Sequence, residues 1–83
     1  LGFMPDFDFN GKGVRIKKII DGGILSKKTK LREGDVILRI NGIEIDNLIT
    51  YTDIISTLNL DEELEITYLS DGDIKKAKVD IKQ

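Results

Sequence analysis

Leu31-Arg32-Glu33-Gly34-Asp35-Val36-Ile37-Leu38-Arg39-Ile40-Asn41-Gly42 is the stretch whose reading decides the fold. Gly34-Asp35 makes a turn, because glycine accepts backbone conformations that a side chain resists. The run from Val36 to Ile40 is short, β-branched and apolar except for Arg39, which predicts a strand rather than a helix. Asn41-Gly42 is the commonest pair for a tight hairpin turn with positive φ at both central residues. Ile43-Glu44-Ile45 alternates outward again, so two short strands flank the turn. The first of them is expected to be the most buried strand of a small β-rich domain.

Upstream, Val14-Arg15-Ile16-Lys17 alternates with period two, and the blurred register at Lys18 and Ile19 predicts a bend or bulge. Asp21-Gly22-Gly23 is a turn, and Ile24 to Thr29 fits one or two helical turns. Nearer the start, Leu1 to Pro5 is apolar and Asp6 to Gly13 reads as a loop. Downstream, Asp46-Asn47 or Thr50 can cap a helix running from Leu48 or Thr50 to Leu58. Leu48, Tyr51, Ile55 and Leu58 suit a core stripe on it, with Thr50, Ile54 and Thr57 as a second, less apolar line that could border a groove. Glu62 to Ser70 alternates with Leu64, Ile66 and Tyr68 on one face. Asp71-Gly72 then turns the chain into a last strand with Ala77, Val79 and Ile81 inward. The expected architecture is α+β: a partly open antiparallel barrel or sandwich of five to six strands, with one short and one longer helix.

The chain has 83 residues, enough for one domain near the lower limit for a single apolar core. It holds no Cys and no His, which removes disulfides, thiol nucleophiles, imidazole bases and the usual zinc shells. A formal charge of −2 gives no bulk field for nucleic acid or an anionic membrane. No apolar run reaches the length of a membrane span or signal-peptide core. The start at Leu1 rather than Met leads us to expect a piece excised from a larger protein.

Three patterns invite chemistry. Asp6-x-Asp8-x-Asn10-Gly11 copies the first half of a calcium loop, but Lys17 stands where the closing bidentate carboxylate is needed, so an acidic turn is expected. Lys27, Lys28, Lys30 and Arg32, with Lys17 and Lys18 upstream, could hold phosphate or an acidic partner. A solvated helix face is the plainer reading, since no aromatics interleave them. Asp61, Glu62, Glu63 and Glu65 form a run rather than a facing pair, and Ser26, Ser56 and Ser70 have no imidazole base. No catalytic constellation, metal site or cofactor site is expected.

With these residues in hand, the chain resembles a PDZ domain across essentially its whole length. Leu1-Gly2-Phe3 matches the last three positions of that family's Gly-Leu-Gly-Phe carboxylate-binding loop, and Gly34 to Gly42 its Gly-Asp-x-Ile-x-x-x-Asn-Gly signature. Tyr51 to Leu58 matches the groove-lining helix. The extra last strand, Lys75 to Ile81, resembles the bacterial circularly permuted type, in which the last strand fills the place of the first. Leu1 to Asp6 with the following loop also resembles PDZ domains appended to secreted zinc aminopeptidases, or to other envelope proteases.

The resemblance implies a non-catalytic module that binds a C-terminal or internal extended peptide. The N–H groups of Leu1, Gly2 and Phe3 would hold the terminal carboxylate as a nest, and the peptide would add as a strand along Phe3-Met4-Pro5. Its last side chain would enter a pocket of Leu1, Phe3 and Ile54, with Leu58 or Thr57. Two departures follow from the residues. Pro5 cannot donate an N–H to the ladder, so the ladder is expected to be shorter and weaker than usual. Thr50 stands where some members carry a His for a ligand Ser or Thr, so apolar ligand side chains are expected. The implied setting is a monomeric domain of a cell-envelope or extracellular protein. A competing expectation is a structural or regulatory appendage packed on its parent catalytic domain, without free-peptide binding. A small barrel for nucleic acid is disfavoured by the charge and the few aromatics.

Overall fold

The computed structural model describes residues 2–57 and 63–80. Along them run β1 (Phe3–Pro5), β2 (Val14–Ile19), α1 (Ile24–Lys28), β3 (Val36–Ile40), β4 (Ile43–Glu44), α2 (Leu48–Thr57), β5 (Glu63–Ser70) and β6 (Asp73–Asp80). All pairings are antiparallel, in the order β1-β2-β3-β5-β6, with β4 on β3 beside this path. The sheet does not close, so β1 and β6 are its edges. This is the expected α+β architecture of six strands, a short helix and a longer one.

β3 lies mid-sheet, with Ile37 and Ile40 fully buried. Asn41 (φ 52) and Gly42 (φ 79) form the expected turn into β4, and Asp71 (φ 51) and Gly72 (φ 83) repeat it between β5 and β6. Asn41 also stitches its turn to β5. Its N–H donates to the Glu65 carbonyl at 2.8 Å, and its Oδ1 accepts the Glu65 N–H at 2.8 Å. β5 is buried to the same degree as β3: Leu64, Ile66, Thr67, Tyr68 and Ser70 are buried, as are Val36, Ile37 and Ile40. β5 is bonded along both sides, to β6 over its full length, whereas β3 divides one edge between β2 and β4.

The Gly34-Asp35 turn closes on itself and on β2. Buried Asp35 accepts the Arg32 N–H on Oδ2 at 3.1 Å, while Gly34 N–H donates to the Ile16 carbonyl and Ile16 N–H to the Asp35 carbonyl, each at 2.8 Å. The expected irregularity in β2 is a bulge. Met4 faces Lys18 but Pro5 faces Ile16, which leaves Lys17 unopposed.

Alternate residues of β2 and β5, with Ile37 and Ile40 of β3 on either side of a register shift, build the core, sealed by Leu25 of α1 and Ile54 of α2. Val79 is buried and Ala77 packs at the margin, as expected, while Ile81 lies outside the described residues. The face of α2 differs from expectation. Ile54 is its buried residue, and Leu48, Tyr51 and Ile55 of the expected core stripe are only half-buried. Leu48, Tyr51 and Ile55 still pack against the core, but Ile54, from the second line, enters it most deeply, because adjacent Ile54 and Ile55 offer two apolar faces. Of the possible caps, Asn47 acts: its Oδ1 accepts the Thr50 N–H at 3.1 Å. Thr50 is therefore inside the first turn, with its hydroxyl directed back to the same Oδ1 at 3.4 Å.

Candidate functional site

An edge strand carries half of its backbone groups away from the sheet, and β1 shows which half. The Gly2 carbonyl accepts the Ile20 N–H at 3.0 Å, and the Asp6 N–H donates to the Arg15 carbonyl at 2.9 Å. Residues 2 and 6 thus bond inward to β2, and the alternation of an antiparallel strand turns the backbone of Phe3 and Pro5 outward. Phe3 offers both an N–H and a carbonyl there. Pro5 offers a carbonyl alone, which is the tolerated place for proline in a sheet.

The loop leading into β1 is set by a contact between two glycines. Gly2 has φ +87, and a Cβ added to it would meet the Gly23 Cα at 3.1 Å; one added to Gly23 would meet the Gly2 Cα at 3.0 Å. The positive φ of Gly2 turns the chain sharply into extended β1, a conformation that a side chain resists.

α2 borders the same edge. The Phe3 ring meets Tyr51 edge-to-face, with centroids 5.5 Å apart and planes at 67°. Burial pushes the Tyr51 hydroxyl up to about 12. Among the sequence-predicted site residues, Gly2, Phe3, Met4 and Pro5 lie along this edge, with Met4 exposed. Ile54 sits in the core at 9% exposure. Thr50 spends its hydroxyl on the cap, and the Thr57 hydroxyl donates to the Ile54 carbonyl at 2.9 Å. Leu1 and Leu58 lie outside the described residues. The helix residue that faces Phe3 is Tyr51, which sequence reasoning had assigned to the core along with Ile55. Their spacing of four was visible, but nothing in the pattern separates a stripe facing the core from one at its margin.

The loop before β2 binds its own carboxylate. Arg15 donates to Asp6 Oδ2 from Nε at 2.9 Å and Nη2 at 2.6 Å, and Asp6 Oδ1 accepts the Asp8 N–H at 3.0 Å. These bonds, the Arg15 contact first, hold the Asp6 carboxyl below its usual range. The Arg15 guanidinium also lies 4.8 Å over the Phe9 ring. The half-copy of a calcium loop is thus tied up by an arginine. In the basic cluster, Arg32 pairs with Asp71.

Among the described residues no helix is long and apolar enough to cross a membrane. No curated protein matches the chain. The sequence model of the PDZ domain matches residues 1–69, well over half of the chain, and the chain belongs to that family, whose members are in general non-catalytic modules that bind peptides or proteins.

Proposed function

We propose that this PDZ domain captures an extended peptide by strand addition at β1, with a C-terminal carboxylate held by the N–H groups of Leu1, Gly2 and Phe3. The observation that carries the reading is the outward backbone of Phe3 and Pro5 on an edge strand flanked by α2 through the Phe3–Tyr51 contact. Main-chain bonds at such an edge supply affinity, and pockets for alternate side chains supply selectivity. The last ligand side chain falls between Phe3, Tyr51 and Ile55, above Ile54. With the Thr50 and Thr57 hydroxyls already bonded, an apolar side chain suits this wall best.

The same reading makes β6 the strand that takes the first strand's place in a circularly permuted bacterial domain. Its pairing with β5 over the full length supports this. The setting we propose is a monomeric accessory domain of a secreted aminopeptidase or other envelope protease. One observation favours the alternative of an appendage packed on its parent catalytic domain: Pro5 leaves the second outward position of β1 without a donor.

Amide chemical-shift mapping with a library of short peptides tests the proposal. Shifts at Gly2, Phe3, Tyr51 and Ile55 that vanish when the peptide is C-terminally amidated support carboxylate capture. No shift with any peptide sinks it in favour of the appendage, which is then tested by the activity of the parent protein with and without this domain.

A further inference from the structure

Away from the peptide edge, the fold gathers lysines that are far apart in sequence. Lys27, Lys28 and Lys30 come from α1 and the residues after it, Lys76 and Lys78 come from β6, and together they line a cleft of about 520 Å³ that reaches the buried Tyr68. A chain with net charge −2 thus places five of its 13 basic residues around one concavity.

Only one of the five pairs with an acid among the described residues. Lys28 Nζ donates to the Asp80 carbonyl at 2.8 Å, and Lys76 stands 3.9 Å from Glu65. The side chains of Lys27, Lys30 and Lys78 have no hydrogen bond or ion pair among the described residues. Lysines on an exposed strand edge discourage edge-to-edge pairing, and that accounts for Lys76 and Lys78 on β6. It does not account for Lys27, Lys28 and Lys30, which line the same cleft from another element. Three lysines without counter-charges around one cleft raise the local potential and concentrate anions.

We infer that this cleft binds clustered phosphate groups. All the cations lining it are lysines, compact ammonium charges that suit phosphate, and it lacks the planar arginine fork that recognises carboxylates in pairs. Arg32, the arginine nearest in sequence, is engaged with Asp71. Charges on both sides of the cleft favour an anion with more than one phosphate over a single one. The site is independent of peptide capture at β1.

The test is a titration of the chain with inorganic tripolyphosphate, followed by amide shifts, with orthophosphate and an oligoglutamate peptide in parallel. The expected result is saturable, salt-sensitive shifts at residues 27–30 and 76–78, tighter for tripolyphosphate than for the other two. Combining Lys27→Gln, Lys30→Gln and Lys78→Gln, all at exposed positions, should weaken binding by about tenfold or more. Co-sedimentation with phosphatidylcholine vesicles, with and without phosphatidylinositol phosphates, separates a lipid headgroup from a free anion as the source. The inference is overturned by absent saturation, by equal binding in the triple variant, or by tighter binding of oligoglutamate.

Discussion

Pro5→Ala should make this domain a tighter peptide binder and a less stable protein. The bonds made by Gly2 and Asp6 toward β2 leave residue 5 facing the open edge, so the variant gains an N–H where an added strand lies. One ladder bond is worth about 0.5–1.5 kcal/mol net, which corresponds to roughly two- to thirteenfold in Kd. The gain should fall toward the lower figure, because this edge is accessible to water. Stability moves the other way. Removing proline frees the unfolded chain and costs about 0.4–1 kcal/mol where the native backbone suits proline. Calorimetric titration with a peptide that shifts Gly2 and Phe3 measures the first effect, and urea denaturation without peptide the second. Unchanged or weaker affinity in a variant that still folds refutes the assignment of residue 5 to the ligand side.

Three further outcomes follow from other bonds. Asn41→Ala removes the acceptor for Glu65 and leaves a Cβ residue at φ 52, so the urea midpoint should report a loss of about 1.5–3 kcal/mol. Asn41→Gly should lose only the part due to the hydrogen bond. The folded pKa of Asp6 lies below the ordinary 3.8, so its contribution is complete above that value and is lost as pH falls through the lowered one. Melting temperatures on an acid series should show this limb in the parent chain and a flatter one in Asp6→Asn. Tyr51 titrates at about 12 rather than 10.0, because burial disfavours its anion, so stability should decline as pH rises from 10.0 toward 12. Tyrosinate absorbance should reveal a late component that Tyr51→Phe removes.

The two hairpins were legible because Asn41-Gly42 and Asp71-Gly72 each place residues that tolerate positive φ side by side between alternating strands. The strands between them followed from alternation, and the bulge from the break in it at Lys18. Which residue of α2 is buried most deeply was not legible. Tyr51, Ile54 and Ile55 fit two helical stripes equally well, and only packing against the sheet decides which one is buried. Nor could pattern reveal that polar Asp35 and Thr67 are buried: Asp35 is accommodated by a local turn, and Thr67 lies mid-sheet opposite Arg39, distant in sequence. Lys27 and Lys78 lie on opposite sides of one cleft, and their sequence separation hides that adjacency. Along the edge proposed to bind peptide, the contact of Phe3 with Tyr51 was not legible, because helical spacing alone does not say which residue of α2 reaches β1.

The contact between Gly2 and Gly23 decides how far the loop ahead of β1 could be moved into another protein. Its shape is held by a backbone from a different part of the chain, approaching so closely that a methyl group on either glycine would press its neighbour back. Residues 1–5 grafted alone onto a foreign hairpin would lose that abutment and relax. The transplantable unit is the loop together with the Asp21-Gly22-Gly23 turn, and an engineer who shuffles such domains should keep both on the same side of any crossover.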